Sequence, residues 1–189
     1  MRLGTFGYQV DFFMCLACVA ALSWLESVSE TALFGRLEWL TSLVVGVGLW
    51  TLVEYGVHRW LYHGVPFLIP LHDAHHDEPS AYIGAPPLVG IVLIFFVIYF
   101  PANSVSPTIA SGLTSGMLLG YMGYQLVHHA THFWKPATGS YLYRARLHHS
   151  GHHYHQPIGN FGVTTAFWDK VFRTLVDVKR NVVVADVPK

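Results

Sequence analysis

An uncharged stretch in the middle of the chain decides its fold class. No Asp, Glu, Lys or Arg occurs from Ile83 to Trp134, which reads IGAPPLVGIVLIFFVIYFPANSVSPTIASGLTSGMLLGYMGYQLVHHATHFW. Such a stretch cannot face water along its length, and at about 20 residues per crossing it is long enough to cross a bilayer twice. Only 12% of the chain is charged, whereas about a quarter is usual in soluble domains. The sequence therefore predicts an integral membrane protein.

Four apolar runs are expected to form membrane-spanning helices, at about residues 10–24, 39–57, 87–102 and 108–127. The last two form a hairpin, because Pro101–Pro107 supplies a turn between them. Gly112, Gly116 and Gly120 recur every four residues in the fourth run, a small-residue stripe that lets membrane helices approach closely. The first run also fits a signal peptide, but Asp11 at its entrance favours a retained helix.

The thirteen histidines are confined to four short bursts. These bursts are His58 and His63; His72, His75 and His76; His128, His129 and His132; His148, His149, His152, His153 and His155. Two of them contain the same spelling, H-x-x-H-H. Neutral imidazole is the commonest metal ligand in proteins and suits iron, zinc and copper. Since one ion takes four to six ligands, ten or more histidines in repeated spacings predict a site for two metal ions.

Helix geometry selects ten of the histidines as ligands. Residues four apart share a face, which relates His128 to His132 and the first histidine of each H-x-x-H-H box to the last. The middle histidine of a box is turned about 100° from the last, so a box can straddle two metals. His58 and His63 are about 140° apart, which suits separate metals. The predicted metal ligands are His58, His63, His72, His75, His76, His128, His132, His149, His152 and His153.

We expect other polar residues near the boxes, and the two cysteines, to have supporting or structural roles. The histidines left over are expected to orient ligands or to lie on the surface; they are His129, His148 and His155. Glu54 lies one turn before His58 and is expected to orient it by hydrogen bonding. Asp73 and Asp77 fit the same role, or are solvated loop charges. The only cysteines, Cys15 and Cys18, spell C-x-x-C, but inside an apolar run they are expected to be small fillers.

Charge asymmetry orients the predicted spans. Eight of the eleven basic residues lie from Lys135 onward, whereas the loop between the first two spans holds three glutamates against one arginine. Basic flanks prefer the cytoplasm, which places both termini and every histidine burst on the cytoplasmic side. The predicted fold is all-α: a multi-pass membrane four-helix bundle with a cytoplasmic helical cap that carries the histidine boxes. Residues 1–189 are expected to form a single domain, with the histidine boxes in residues 54–174.

The order of the boxes resembles that of the fatty acid hydroxylase/sterol desaturase superfamily of membrane di-iron enzymes. The order is H-x(4)-H, H-x-x-H-H, H-x(3)-H, H-x-x-H-H. Asn160–Thr165 and Phe167–Phe172, NFGVTT and FWDKVF, are similar to the N-[YF]-G and F-W-D-x-x-F run that follows the last box in that family. The resemblance covers roughly Glu54–Thr174. Arg173 departs from the pattern, since many relatives have glycine there, and we expect it to change a turn rather than the chemistry.

The resemblance implies an oxidoreductase that uses two iron ions, dioxygen and two external electrons to hydroxylate or desaturate an unactivated C–H bond of a lipid. A fatty acyl chain is the first expectation, and a sterol or carotenoid is the alternative. Zinc can replace iron in purified protein, because divalent-metal affinity alone does not select iron. The implied partners are a lipid from the bilayer and a separate electron donor, either a cytochrome b-type haem protein or a ferredoxin. No nucleic acid is expected, and the membrane is the bacterial inner membrane or the endoplasmic reticulum.

Six basic residues near the boxes suit an acidic electron carrier or anionic headgroups, or only enforce topology. They are Lys135, Arg144, Arg146, Lys170, Lys179 and Arg180.

A membrane metal transporter or storage protein is the alternative from another class. Transporters place ionisable ligands near the bilayer midplane, whereas the predicted third and fourth spans hold none. A bis-histidine haem carrier needs two or four histidines on facing helices rather than ten in paired boxes. The sequence therefore favours the oxygenase.

Overall fold

The computed structural model describes residues 5–29, 33–84, 86, 88–154 and 159–177. Within these ranges the chain is helical and forms no β-strand, which confirms the predicted all-α class. The α-helices are α1 (Thr5–Val28), α2 (Leu33–Gly56), α3 (Ile69–Asp77), α4 (Val89–Ile94), α5 (Phe100–Asn103), α6 (Pro107–Phe133), α7 (Tyr141–Tyr154) and α8 (Phe167–Val171). Two π-helical segments, Val57–Tyr62 and Phe95–Tyr99, continue α2 and α4 respectively.

Two helices are long and apolar enough to cross a membrane by length and composition, Gln9–Val28 and Leu33–Tyr62. They contain the first two predicted spans and indicate a membrane protein. The third predicted span corresponds to a shorter apolar helix, Val89–Asn103, and the fourth lies inside α6. Large apolar side chains are exposed on these helices, including Val44 at 68% and Phe96 at 66%, which suits contact with lipid. Four crossings of the membrane stay a prediction.

The described chain divides into two compact units. The first is formed by residues 1–53 and 81–123, and the second by residues 54–80 and 124–189. Helices α2 and α6 each contribute residues to both units. The second unit contains all the histidines that the structure describes. The prediction of one domain over residues 1–189 stays a prediction.

In the first unit, α2 and α6 approach closely along the glycine stripe. A Cβ atom on Gly116 would lie 2.1 Å from the carbonyl oxygen of Leu43, and one on Gly112 would lie 2.4 Å from that of Trp39. Real Cβ atoms do not approach backbone this closely, so neither position accepts a larger residue without movement. The predicted packing role of the stripe is confirmed.

Asp11 joins three segments of the first unit by hydrogen bonds. Its carboxylate accepts from the backbone N–H of Leu88 at 2.6 Å and from the Tyr121 hydroxyl at 2.8 Å. Leu88 has a positive φ of 69° and immediately precedes α4. A buried carboxylate is costly without partners, and here it ties α1 to the start of α4 and to α6.

In the second unit, local sequence features mark where α3 and α7 begin. Pro70 lies in the first turn of α3, where its missing N–H costs nothing. The Ser140 hydroxyl accepts from the Tyr143 N–H at 3.1 Å, a capping bond at the start of α7.

Candidate metal centre

Nine of the ten predicted ligands gather in two groups, each of which can hold a metal ion. In each group the nearest ring nitrogens all lie within 4.8 Å of one another. The first cluster consists of His58, His63, His72, His76 and His152, and the second cluster of His75, His132, His149 and His153.

The tenth predicted ligand, His128, lies against the second cluster. Its Nε2 atom is 3.0 Å from Nε2 of His75 and 3.2 Å from Nε2 of His132. All ten predicted ligands are therefore found in or beside the two clusters.

Each H-x-x-H-H box is divided between the clusters in the way that helix geometry predicts. On α3, His72 and His76 lie in the first cluster, whereas His75 lies in the second. On α7 the assignment is reversed: His149 and His153 lie in the second cluster, whereas the middle histidine of the box, His152, lies in the first. The two boxes therefore cross-link the clusters, since each supplies a pair to one cluster and a single ring to the other.

His58 and His63 do not separate as expected. Their spacing of five residues would turn them apart on an α-helix, but both lie in the first cluster, with ring centroids 5.4 Å apart. The reason is that Val57–Tyr62 is π-helical. A π-helix bonds residue i to residue i+5 and so brings such residues onto one face.

The spacing of the ring nitrogens fits a metal ion better than it fits hydrogen bonding. His72 Nε2 lies 3.0 Å from Nε2 of both His58 and His76. A ring nitrogen has either one proton or one lone pair in the ring plane, so it cannot make a well-directed hydrogen bond to both. Two nitrogen ligands held about 2.1 Å from one ion at right angles would be about 3.0 Å apart. The donor set therefore fits a bound metal.

Backbone carbonyls accept hydrogen bonds from the Nδ1 atoms of two rings of the first cluster. His58 Nδ1 donates to the carbonyl oxygen of Phe161 at 2.6 Å, and His152 Nδ1 donates to that of Gly159 at 2.8 Å. Because a carbonyl can only accept, the proton of each neutral ring is on Nδ1 and Nε2 has the free lone pair. This is the tautomer in which Nε2 can bind a metal.

Glu54 does not orient His58 by a direct hydrogen bond, because the one ring proton of neutral His58 is donated to the carbonyl oxygen of Phe161. The Glu54 carboxylate instead accepts from the backbone N–H groups of Val163 and Thr164, both at 2.7 Å, and from the Thr164 hydroxyl. Glu54 thus anchors the tail loop, defined here as Gly159–Thr165, rather than the ring.

Asp169 is a second anchor of the tail loop, and we did not assign it a role from the sequence. It is fully buried and accepts hydrogen bonds from the N–H groups of Phe161 and Gly162. His148 Nε2 lies 3.0 Å from its Oδ2. Burial alone would raise the pKa of Asp169, but bonds from His148, Gly162 and Thr174 outweigh it and lower the pKa. The signal in the sequence was the acidic residue of the FWD run.

Burial keeps the cluster histidines neutral. It lowers the pKa of His75 and of His76 to about 4, and neighbouring histidines add to the effect. The pKa values of His132 and His152 are lowered to about 3, again chiefly by burial. Metal ligation requires neutral imidazole, so these rings are in the ligating state at neutral pH without an ion to displace their protons.

The other polar residues singled out from the sequence lie outside the clusters. His129 stacks on Phe133 with ring centroids 4.4 Å apart, and His148 pairs with Asp169. His155 lies outside the described residues, as do Lys179 and Arg180 of the basic set. Asp73 and Asp77 act on the first cluster by charge, since both raise the pKa of His76 against the larger effect of burial. Cys15 and Cys18 are free thiols on α1.

A family profile described as fatty acid hydroxylase matches residues 43–174, which include both clusters. The chain belongs to the fatty acid hydroxylase family. The predicted superfamily is therefore confirmed, and with it the prediction of an oxidoreductase at the level of the family.

Several fatty acid hydroxylases are similar to this chain. The fatty acid 2-hydroxylase of Rattus norvegicus is 38% identical over 144 residues, which cover 70% of this chain and 39% of the relative. The dihydroceramide fatty acyl 2-hydroxylase FAH2 of Arabidopsis thaliana is 30% identical over 145 residues, or 71% of this chain and 60% of the relative. The chain thus spans about two fifths of the length of the rat relative.

A solved structure described as full-length scs7p, in which only the hydroxylase domain is visible, has a similar fold. The TM-score is 0.76 with 26% sequence identity, and the match covers 92% of this chain and 68% of the other.

Proposed function

We propose that this fatty acid hydroxylase family member is a membrane di-iron enzyme that hydroxylates a C–H bond of a fatty acyl chain. The observation that carries the proposal is the pair of all-histidine clusters, whose nitrogens converge at the spacing of metal ligands. The names of the relatives, fatty acid 2-hydroxylase and dihydroceramide fatty acyl 2-hydroxylase, support a fatty acyl chain, either free or in an amide-linked lipid.

We assign one iron ion to the five histidines of the first cluster. The second ion is assigned to the second cluster together with His128. When bound, the two ions would activate dioxygen, with two electrons from a separate donor, for attack on the C–H bond. Zinc can occupy the same nitrogens, because ligand type alone does not distinguish the two metals.

The protein's own groups would hold the ions, and the cluster histidines would bind them as unprotonated rings. The rings of both clusters are neutral because they are buried, and Phe161 covers one side of the first cluster, with its ring centroid 5.4 Å from His152 and 5.5 Å from His63. Among the residues that the structure describes, each cluster is made of histidines alone. The reaction needs no separate acid or base to remove hydrogen, so the residues that matter most are those that place the imidazoles.

The substrate and the electron donor are proposed to reach the enzyme from different sides. A four-helix membrane bundle with the histidine boxes in a cytoplasmic cap would let an acyl chain enter from the bilayer. The donor, a cytochrome b-type haem protein or a ferredoxin, would dock from the cytoplasm. Exposed Lys135 and Lys170 are suited to an acidic donor or to anionic headgroups.

Lipid mass spectrometry of expressing cells tests the function. Cells with the intact chain and a co-expressed electron donor are compared with cells that carry the double variant His152→Ala/His153→Ala, which removes one ring from each cluster. His129→Ala is the matched control, since this histidine stacks on Phe133 outside the clusters. We expect a lipid heavier by one oxygen atom with the intact chain and with the control only. A lipid lighter by two hydrogens would indicate desaturation, and no new lipid despite bound iron would contradict the proposal.

A further inference from the structure

The two carbonyls that accept from His58 and His152 belong to peptide groups whose N–H groups are also hydrogen-bonded. The Phe161–Gly162 peptide accepts from His58 through its oxygen and donates through the Gly162 N–H to Asp169 Oδ2 at 2.8 Å. The same carboxylate also accepts from the Phe161 N–H at 2.9 Å. A carboxylate that orients a metal-ligating histidine is a common arrangement, and here one peptide group is inserted between the two.

The second peptide group is connected to the same carboxylate by one further step. The Gly159–Asn160 peptide accepts from His152 and donates through the Asn160 N–H to the carbonyl oxygen of Thr174 at 2.9 Å. Thr174 in turn donates its hydroxyl to Asp169 Oδ1 at 2.7 Å and its N–H to the Asp169 carbonyl oxygen at 2.8 Å. Asp169 is therefore connected by hydrogen bonds to both peptide groups whose carbonyls accept from rings of the first cluster.

The second cluster has no comparable support among the described residues. The Nδ1 atoms of His75, His149 and His153 are buried, and no protein group in the described ranges lies within hydrogen-bonding distance of them. These rings are oriented by packing, for example His149 against His132 with centroids 4.8 Å apart. Packing restrains a ring less specifically than a hydrogen bond does, and it does not select the tautomer.

We infer that Asp169 is a positioning residue for the first cluster, and that the first cluster consequently binds its metal ion more tightly than the second. The inference rests on the proposed function, because it treats the two clusters as metal sites. It adds that the sites are unequal and names the side chain that makes them so. Hydrogen-bonding partners of ligating groups change metal affinity by roughly 10–100-fold, so a difference of that size between the two ions is expected.

Competition with a chelator measures this difference on the intact protein. The purified chain, loaded with zinc to avoid redox changes, is exposed to increasing concentrations of EDTA, and the zinc that remains per chain is counted. We expect two steps of release separated by roughly 10–100-fold in chelator concentration. Two ions that leave together would overturn the inference, whereas a chain that binds no metal would contradict the proposed function itself.

Single-ring variants assign the steps to the clusters. His152→Ala removes a ring of the first cluster and is expected to abolish the tight step. His153→Ala removes a ring of the second cluster and is expected to keep the tight step and lose the weak one. The opposite assignment would overturn the inference, because the tighter ion would then lie in the cluster that lacks carbonyl support.

Asp169→Asn tests the positioning role directly. The tight step should weaken by roughly 10–100-fold while the weak step stays unchanged. Glu54→Gln is the matched control: Glu54 is also a buried carboxylate with three hydrogen bonds to the tail loop, but none of them involves the Phe161–Gly162 or Gly159–Asn160 peptide. We expect Glu54→Gln to lower the melting temperature and to keep the two steps apart.

A milder variant covers the case in which Asp169→Asn does not fold. Thr174→Val keeps the side-chain volume and removes the hydroxyl that bonds Asp169 Oδ1 and the Tyr55 hydroxyl, so one hydrogen bond to the carboxylate is lost and a smaller, selective weakening of the tight step is expected. Equal weakening of both steps in the Asp169 or Thr174 variant, or merging of the steps in Glu54→Gln, would mean that the loop acts only through general stability. Either result would overturn the positioning role.

Discussion

The Nδ1 atom of His58 donates a 2.6 Å hydrogen bond to the carbonyl oxygen of Phe161, 103 residues further along the chain. The bond connects the first histidine of the boxes to the loop that follows the last one. It makes the tail loop part of the metal centre, although the loop contributes no ligand atom. Changes at the Phe161–Gly162 peptide, which holds His58, are therefore expected to affect metal binding as well as folding.

Gly162→Ala should damage the first cluster through the tail loop. A Cβ atom here would lie 2.1 Å from the carbonyl oxygen of Thr165 and 3.0 Å from Asp169 Oδ2. The loop must shift, at a cost of about 1–3 kcal/mol for overpacking, and the peptide that holds His58 shifts with it. We expect a lower melting temperature and loss of metal, measured by thermal denaturation and metal analysis.

Gly123→Ala is the control for that substitution, since a Cβ atom on Gly123 would meet no other atom within 4 Å. It lies in α6, where alanine is favoured over glycine by roughly 0.8–1 kcal/mol. Metal content should not change. Equal metal loss in both variants would show that the clash at Gly162 is not the cause.

Arg173→Gly should stabilise the protein. Arg173 is exposed and has a φ of 57°, a left-handed conformation that costs a residue with a Cβ atom roughly 1–2 kcal/mol. Glycine removes this strain but adds roughly 0.4–1 kcal/mol of unfolded-state entropy, so a net gain of about 0.5–1 kcal/mol is expected in denaturant unfolding. Arg173→Ala, which keeps the strain, should show no gain, and a gain of equal size with alanine would refute this explanation.

The metal-free protein should lose stability as the pH falls below about neutral. The pKa of His75 is lowered from 6.5 to about 4 by burial and by His76. The unfolded chain therefore binds a proton between these pH values that the folded chain does not, and stability falls as the pH is lowered through this window. Other buried cluster histidines act in the same direction. Melting temperatures from pH 8 to pH 4 measure the effect, and a flat profile between 6.5 and 4 would contradict it.

Asp11→Ala should weaken the first unit without affecting the metals. It removes the carboxylate that accepts two part-buried hydrogen bonds, from the Leu88 N–H and from the Tyr121 hydroxyl, each of which contributes roughly 0.5–1.5 kcal/mol. Tyr121→Phe removes only one of the two bonds, so its effect on the melting temperature should be smaller. Metal content per folded chain should equal that of the parent in both variants; a selective loss of zinc would contradict a purely structural role.

The division of the boxes between the clusters was predictable, but the position of His58 and His63 was not. Spacing on an α-helix correctly predicts that His75 turns away from His72 and His76, because α3 is a regular helix. The same rule fails for His58 and His63, since nothing in the sequence VHRWLY predicts a π-helical segment. A local departure from α-helical geometry of this kind depends on tertiary packing.

The supporting carboxylates show a second limit of sequence reasoning. Glu54 lies one turn from His58, and local geometry favoured direct contact between them. The structure joins Glu54 to Thr164, 110 residues away, because buried backbone N–H groups of an irregular loop need acceptors. Asp169 was quoted only as part of a motif. The contact between a carboxylate and a distant loop depends on the tertiary fold, and helix periodicity does not predict it.

The source of the oxygen in the product tests the proposed hydroxylation most directly. Cells that express the intact chain with an electron donor are grown under heavy-isotope dioxygen, and their fatty acyl chains are analysed by mass spectrometry. We expect a hydroxylated acyl chain that carries one heavy oxygen atom and is absent from cells with the His152→Ala/His153→Ala variant. A hydroxyl group that carries only the light isotope from water would contradict it.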